Sequence, residues 1–460
     1  MARVAVIGGG IGGLGTALML GRRGHSVVLF EQDARRAGGD VDRDFFRWER
    51  PRVPQASHPH SLLAPVRSVL RAEVPDVYAD LLVRGAREYH EFDWFDEHPP
   101  ERDGDEELVT LRTRRIVLEA ALTAVVGREP NVEVRQGCRV SGLVFREGER
   151  VSGVRAGDAT YPADLVVDAS GRRSPVPGWL KAAGCRPPVV DSHRAGIVYL
   201  CRWYRLRRDG PQDPGRVKTG SAAPYALAGI FPSDNGTFAV SVVLAAGDPS
   251  RGALMDPAVF EAVARRFPSI GAWLGLDPEP CSDVLAMGGL DNRWTSLVDD
   301  AGPVVTGLVS AGDSLIHTNP TFGHGVALGL RAAQYLAAHT DQIVADPMGY
   351  HRWAERTLRP WFDAQVTSDE NNGRRLAEGS PAGDRRAAAV AVCAFEDPVV
   401  MRARAQVRHL VHLADDAYGT DEIDRHVTAW LDAHPDFTPT HDGPTREEWD
   451  ALVGGRTMPG

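Results

Sequence analysis

Residues 3–31 read RVAVIGGGIGGLGTALMLGRRGHSVVLFE, and this stretch decides the fold class. Arg3 to Ile7 is apolar and β-branched, as a buried strand requires. Ile11 to Arg23 repeats its apolar residues at helical spacing, with Ala17 and Leu20 on the packing side and Gly24 ending the helix. Ser26 to Phe30 is apolar again, so the whole is a βαβ unit. Gly8, Gly10 and Gly13, with Ile11 and Gly12 between them, satisfy GxGxxG at the strand-to-helix turn. Glycines there permit a tight turn and let backbone N–H groups approach a pyrophosphate at the positive end of a helix. Glu31, closing the second strand, can accept hydrogen bonds from a ribose diol. A carboxylate in that place repels a 2′-phosphate, which disfavours NADP here.

The rest of the composition bounds the function. A chain of 460 residues is too long for one core, and 43 % apolar and 25 % charged residues are ordinary globular values. No run approaches the roughly 20 apolar residues of a membrane helix, and the first strand lacks the cationic lead and cleavage site of a signal peptide. A soluble, cytoplasmic protein without a membrane partner is expected. The net charge of -10 argues against nucleic acid. Cys138, Cys185, Cys201, Cys281 and Cys393 are scattered without a CxxC pair, so neither a zinc site nor a disulfide framework is indicated. Lys181 and Lys218 are the only lysines.

Further along, a second α/β stretch is predicted from Leu108, with a helix at Ile116 to Val126 and strands at Val132 to Val134, Val140 to Phe145 and Leu165 to Asp168. Ala195 to Leu244 alternates as a separate sheet, and Pro257 to Leu274 reads as a helix. From Val304 the chain returns to strand, glycine turn and a helix over Gly325 to Thr340. Beyond Asp346 the pattern is helical, at Tyr350 to Ala377, Arg385 to Asp415 and Glu422 to Ala433.

Two more motifs follow the first in order. Gly307 to Gly325 reads GLVSAGDSLIHTNPTFGHG, and Asp164 to Ser174 reads DLVVDASGRRS. With Gly312, Asp313, Pro320, Gly323 and Gly325 in the one, and Asp168, Gly171 and Ser174 in the other, the sequence resembles the FAD-dependent monooxygenases of the para-hydroxybenzoate hydroxylase-like fold. It is nearest their bacterial natural-product hydroxylase and epoxidase branch. The resemblance spans about residues 3 to 340 and implies several roles. Asp313 binds ribityl or ribose hydroxyls of FAD. The turn Pro320 to Gly325, with Val326 after it, lies beside the isoalloxazine, and the Asp168 segment meets the pyrophosphate side. Arg115, with Leu118 and Glu119, fits the family's Arg-x-x-Leu helix and approaches FAD phosphates or ribose, although the adjacent Arg114 competes for the part. Val140 is a further implied contact. Independently of the resemblance, a carboxylate suits a polyol chain, and a helix starting near Gly325 would aim its positive end at the flavin edge that becomes anionic on reduction.

The fold class implied is α/β, a discontinuous Rossmann-like FAD-binding domain (1–75, 106–182 and 291–345) with an inserted antiparallel β-sheet substrate domain (76–105 and 183–290) and a C-terminal helical region (346–460). The family chemistry is transfer of oxygen from a flavin C4a-hydroperoxide to a small, natural-product-like substrate, using O2 and electrons from NAD(P)H or a partner flavin reductase. A dehydrogenase or reductase of the same fold remains open. A flavin halogenase is less favoured, since no WxWxIP occurs and neither lysine follows the early FAD segments. The chain departs from the family's usual GDAAH by reading Ser314, Leu315, Ile316 and His317. Pro320 and His324 are the catalytic candidates at the turn. His58, in PQASHPHSLL (Pro54 to Leu63), is a third, with His60 beside it; these two either flank the flavin or are buried structural histidines. They lack a third ligand for a metal. Tyr89, His90, Phe92, Trp94 and Phe95 form either core or the wall of an aromatic-lined pocket, and oxygen transfer is expected between the sheet Ala195 to Leu244 and the turn His317 to Gly325.

Overall fold

The computed structural model describes residues 1–48, 50, 53–146, 150–378 and 384–454; the last residues of the region drawn as 346–460 therefore lie outside it. Five parallel strands make the nucleotide sheet, in the order Leu308–Ser310, Leu165–Asp168, Arg3–Ile7, Ser26–Glu31, Val132–Gln136. Leu308–Ser310, Leu165–Asp168 and Arg3–Ile7 are almost wholly buried, as parallel strands covered on both faces must be. Alternation along them sorts the two faces. Val4, Val6 and Leu29 pack against the helices Ile11–Arg22, Arg115–Val126 and His324–Ala338, while Ala5, Ile7 and Phe30 pack under the meander Val140–Phe145, Val151–Ala156, Ala159–Pro162. Register sets the site: Ile7 lies opposite Phe30 and Asp168, and Asp168 opposite Ser310. The turns after Ile7, Glu31, Asp168 and Ser310 therefore leave the sheet along one edge, where ligands of parallel sheets gather.

The inserted sheet is antiparallel. Ile197–Arg205 and Thr237–Ala245 form its centre and Ala226–Pro232 lies beyond. The single helix predicted over Pro257 to Leu274 is instead two, Pro257–Ala264 and Pro268–Leu274. Pro268 supplies no N–H and drives Phe267 to an extended ψ of 122°, which ends the first helix. Proline also divides the C-terminal predictions: Met348–Thr357 is separate from Arg359–Glu378, and Asp397 caps a new helix at Pro398–Arg408 after Arg385–Cys393. Asp421–Ala433 forms as expected. Helices at Val41–Arg47, Ala64–Glu73, Pro75–Val83 and Arg446–Gly454 were not predicted; the last buries Trp449 beside Phe267 under the inserted sheet. Pro75–Val83 packs on Arg115–Val126, with Val77 and Leu81 in the nucleotide-domain core.

Arg114 joins the two sheets. It is 1 % exposed, and its guanidinium lies 2.5 Å from Asp234, in the turn before Thr237, and also pairs with Asp42. Arg114 is thereby committed to contacts between the two sheets, whereas Arg115 opens the helix Arg115–Val126. Among the described residues no helix is long and apolar enough to cross a membrane.

Candidate cofactor cradle and substrate cavity

Each glycine of the first motif has its own task. Gly8 has φ +105°, and a Cβ there would lie 2.5 Å from the Ala169 carbonyl oxygen. A Cβ on Gly13 would lie 1.8 Å from the Gly8 oxygen, so Gly13 lets the helix pack on the strand. A Cβ on Gly10 would meet nothing within 4 Å, because Gly10 borders open space. Gly10 is the N-cap of Ile11–Arg22 and supplies no side-chain cap. The N–H groups of the first turn therefore face that opening without a protein acceptor, which suits a pyrophosphate. Glu31 closes the neighbouring strand, its carboxylate oriented by the Gly9 N–H at 2.7 Å and the Asp33 N–H at 2.7 Å.

The second motif lies across the cradle. A Cβ on Gly12 would come within 3.8 Å of the Gly312 Cα, and one on Gly329 within 3.5 Å, so three glycines bring two helices and one turn together. The Asp313 carboxylate, half-buried beside Gly325, accepts no hydrogen bond from the described residues and is available to hydroxyls. Asp168 differs from its expected part. It is 2 % exposed, and its carboxylate is filled by Ser170, by the Ser174 hydroxyl at 2.6 Å and by Ser314. It shapes the Gly171 turn, whose N–H donates to Ser314 at 2.8 Å, and does not face the cradle with a free oxygen. Burial raises its carboxyl above the ordinary range. Val140 is buried beneath Ile7 and Phe30.

Arg115 reaches Glu119 at 2.8 Å, and Arg50 pairs with the same carboxylate. Burial alone would raise Glu119, but the two guanidinium groups outweigh it and hold the carboxyl low. The Arg115 Nη1 also lies 3.5 Å from His60 Nε2.

The third part is the turn. Gly323 has φ +74°, and a Cβ on it would lie 2.9 Å from Ser61 Cβ, so the segment His58 to Leu63 is packed on this turn. A cavity of about 900 Å³ opens against it, bounded by Ser61, Thr321, Phe322 and His324 on one side and Gly229 to Pro232 of the inserted sheet on another. Strand Val109–Arg112 and the helices carrying Trp361, Met401 and Tyr418 close it. The Tyr199 hydroxyl holds the turn from below, binding Asn319 and Thr321 Oγ1 (2.6 Å). Asn292 Oδ1 accepts from the Asn319 N–H, and its Nδ2 donates to Asp369 at 2.7 Å.

The histidines separate by position. His58, a catalytic candidate, points away from the cavity, with Nδ1 3.3 Å from Cys201 Sγ. His60, two residues on, lines the cavity, anchored by Nδ1 to the His58 carbonyl. His324 lines it too, and its Nδ1 is buried without a hydrogen-bond partner. Pro320 starts the turn but is not on the cavity wall. Burial pushes His58 down to about 4; burial with Arg115 takes His60 to about 3; burial with Arg408 and Arg331 takes His324 to about 4. His90, Asp93 and His98 approach one another as metal ligands would, but both His90 ring nitrogens are engaged, by the Phe92 N–H and the Asp105 carbonyl.

The uncapped helix end, the open space at Gly10, the free carboxylate of Asp313 and the placement of Glu31 together fit an extended FAD. Residues 3–173 match the family described as FAD dependent oxidoreductase. Over that stretch the chain is similar to FAD dependent oxidoreductases. The chain is 27 % identical to Protein Rv3254 of Mycobacterium tuberculosis over 357 residues, covering 72 % of this chain and 71 % of that one. Its fold is similar to that of PqsL from Pseudomonas aeruginosa, a probable FAD-dependent monooxygenase (TM-score 0.58, 20 % identity, 82 % of this chain and 99 % of the other). It is also similar to the myxobacterial chondrochloren halogenase CndH (TM-score 0.53, 19 % identity, 98 % and 95 %).

Proposed function

We propose that the chain is an FAD-dependent monooxygenase that hydroxylates or epoxidises a small, natural-product-like substrate, with O2 as oxidant and NAD(P)H or a partner reductase as electron source. The observation that carries this reading is the cavity of about 900 Å³ against the Thr321 to His324 turn, where both lining imidazoles are held neutral. Bound FAD would supply the electron pair and the activation of dioxygen. For the chain there remain three tasks: to exclude water, to hold the substrate at the turn and to favour negative charge on the reduced ring. The aromatic walls serve the first two. The start of His324–Ala338 serves the third, with Gly323 as an N-cap that lends no side chain.

A dehydrogenase acting beside an alcohol or amine needs a base matched to neutral pH, and imidazoles at about 3 and about 4 are poor bases. Epoxidation of an alkene removes no proton from the substrate, and in aromatic hydroxylation the ring proton is lost after oxygen has been transferred, so neither needs a base to start the oxygen transfer. Halogenation is a second reading because Lys218 lines the same cavity, its ammonium 4.6 Å from the Phe395 ring centroid; Lys181 sits on Val176–Ala182, elsewhere in the fold.

Turnover of the FAD-loaded protein with a small-molecule extract, with and without bromide, tests the reading. A product heavier by one oxygen atom, independent of bromide, is expected. His324→Leu should retain FAD and divert electrons to hydrogen peroxide. A brominated product that disappears in Lys218→Met would replace oxygen transfer by halogenation, and a product lighter by a pair of hydrogens would replace it by dehydrogenation.

A further inference from the structure

The cavity has an electrostatic end that oxygen transfer does not use. Arg112, Arg404 and Arg408 all line it. Arg112, on strand Val109–Arg112, stacks 3.6 Å from the Tyr89 ring centroid and forms no ion pair among the described residues. Arg404 and Arg408 both rely on Glu91, at 3.7 Å and 3.2 Å, and His409 Nε2 takes the same carboxylate at 3.1 Å. The buried Arg408 Nε is the atom that approaches Glu91, but it makes no aligned hydrogen bond with it or with any other described residue. Glu91 stays ionised: burial opposes its charge, but Arg408, His409 and Arg404 prevail and hold it at about 2. Two guanidinium groups and an imidazole thus share one carboxylate, and the third guanidinium, that of Arg112, pairs with no carboxylate among the described residues. The other charged groups on the wall do not restore balance. Asp93 and Asp213 are exposed, and Arg216 and Lys218 stand with them. Apolar surface from Trp94, Leu111, Phe322 and Phe395 lies beside this cationic end.

Cations kept from water without counter-charges are costly, and a guanidinium with free N–H groups is shaped for an oxyanion. We propose that the substrate is an organic acid, an apolar body ending in a carboxylate or related oxyanion, and that Arg112, Arg404 and Arg408 bind that oxyanion while the body lies toward Thr321 to His324. The proposal names the substrate class for the function proposed above and rests on that reading of the cavity.

Equilibrium dialysis of the FAD-loaded protein tests it without turnover, so failure of oxygen transfer and failure of acid recognition are separate results. The probes are 8-anilinonaphthalene-1-sulfonate and its uncharged counterpart N-phenyl-1-naphthylamine. The sulfonate should bind about tenfold or more tightly than the amine, the worth of a charge-assisted contact. Arg112→Gln should abolish that preference with FAD content unchanged, and Arg112→Lys should keep most of it. Arg408→Gln takes the place of Arg112→Gln if the latter does not fold. Equal affinity for the two probes, no binding of the sulfonate, or an undiminished preference in the folded variant overturns the proposal. So does mole-for-mole displacement of the sulfonate by NADPH, which would assign the arginines to the electron donor.

Discussion

His58 and His324 are buried, His60 is half-buried on the cavity wall, and all three titrate low, at about 4, 4 and 3. Each therefore binds a proton in the unfolded chain at a pH where the folded protein refuses it. With more protons on the unfolded state, stability rises with pH through the window between the unfolded value near 6.5 and the folded values. Lowering the pH from 7 to 5 should consequently cost on the order of a few kcal/mol, measured as the denaturant midpoint. His324→Gln should reduce that slope, since one of the three titrations is removed. A midpoint independent of pH from 7 to 5 would mean that these imidazoles are solvated. The sequence placed His58 and His60 together but could not assign their sides. Residues two apart share a face of an extended segment, but the chain turns through Pro54 to Ser57 and bends at His58, and the side on which each imidazole ends is fixed only where Ser61 packs against Gly323, a contact across more than 250 residues of chain.

At the scale of elements, the nucleotide-binding unit was legible because its constraints are local. Gly8, Gly13 and Gly24 sit where turn and packing demand them, and the boundaries of Ile11–Arg22 and Ser26–Glu31 follow from the residues themselves. The C-terminal helices were legible only as helices. Their placement rests on distant partners: Arg402 on Asp105 at 2.8 Å, His409 on the Ala64 N–H at 3.0 Å, and Trp94 Nε1 on the Phe395 carbonyl at 2.8 Å. No spacing within one segment encodes such pairings, so the share of the cavity wall that these helices build was invisible. The roles of the glycines can be separated by experiment. Gly10→Ala has room and should leave the apoprotein's stability nearly unchanged while weakening FAD. Gly13→Ala meets the Gly8 oxygen and should destabilise the apoprotein itself by about 1–3 kcal/mol or more, as overpacking does. Calorimetric unfolding of the two apoproteins decides, and equal losses would mean that Gly10 is also a packing glycine.

For the whole molecule, the position of the inserted sheet over the nucleotide sheet depends on Arg114 and Asp234. Both are buried, and Asp234 also accepts the Arg114 N–H at 2.7 Å. Asp234→Ala would leave a buried guanidinium with only Asp42, and should lower stability by about 3–5 kcal/mol in denaturant unfolding. The paired replacement Arg114→Met with Asp234→Ala should recover part of that loss. Equal stability of Asp234→Ala and wild type would show that the clamp contributes nothing. The sequence offered Arg114 and Arg115 as rivals for one task, and the engagement of Arg114 by Asp234, 120 residues away, was not legible in it.

The central claim is that FAD laid from Glu31 across Gly10 and Asp313 delivers its ring to the Thr321 to His324 turn, where an enclosed substrate receives oxygen. The most direct measurement is to reduce the FAD-loaded protein anaerobically in the presence of a small-molecule extract, admit ¹⁸O2 in ordinary water and weigh the products. A product carrying one ¹⁸O atom, formed at the expense of hydrogen peroxide, is expected. A product that takes its oxygen from water, or an oxidised product with no added oxygen, would contradict the claim.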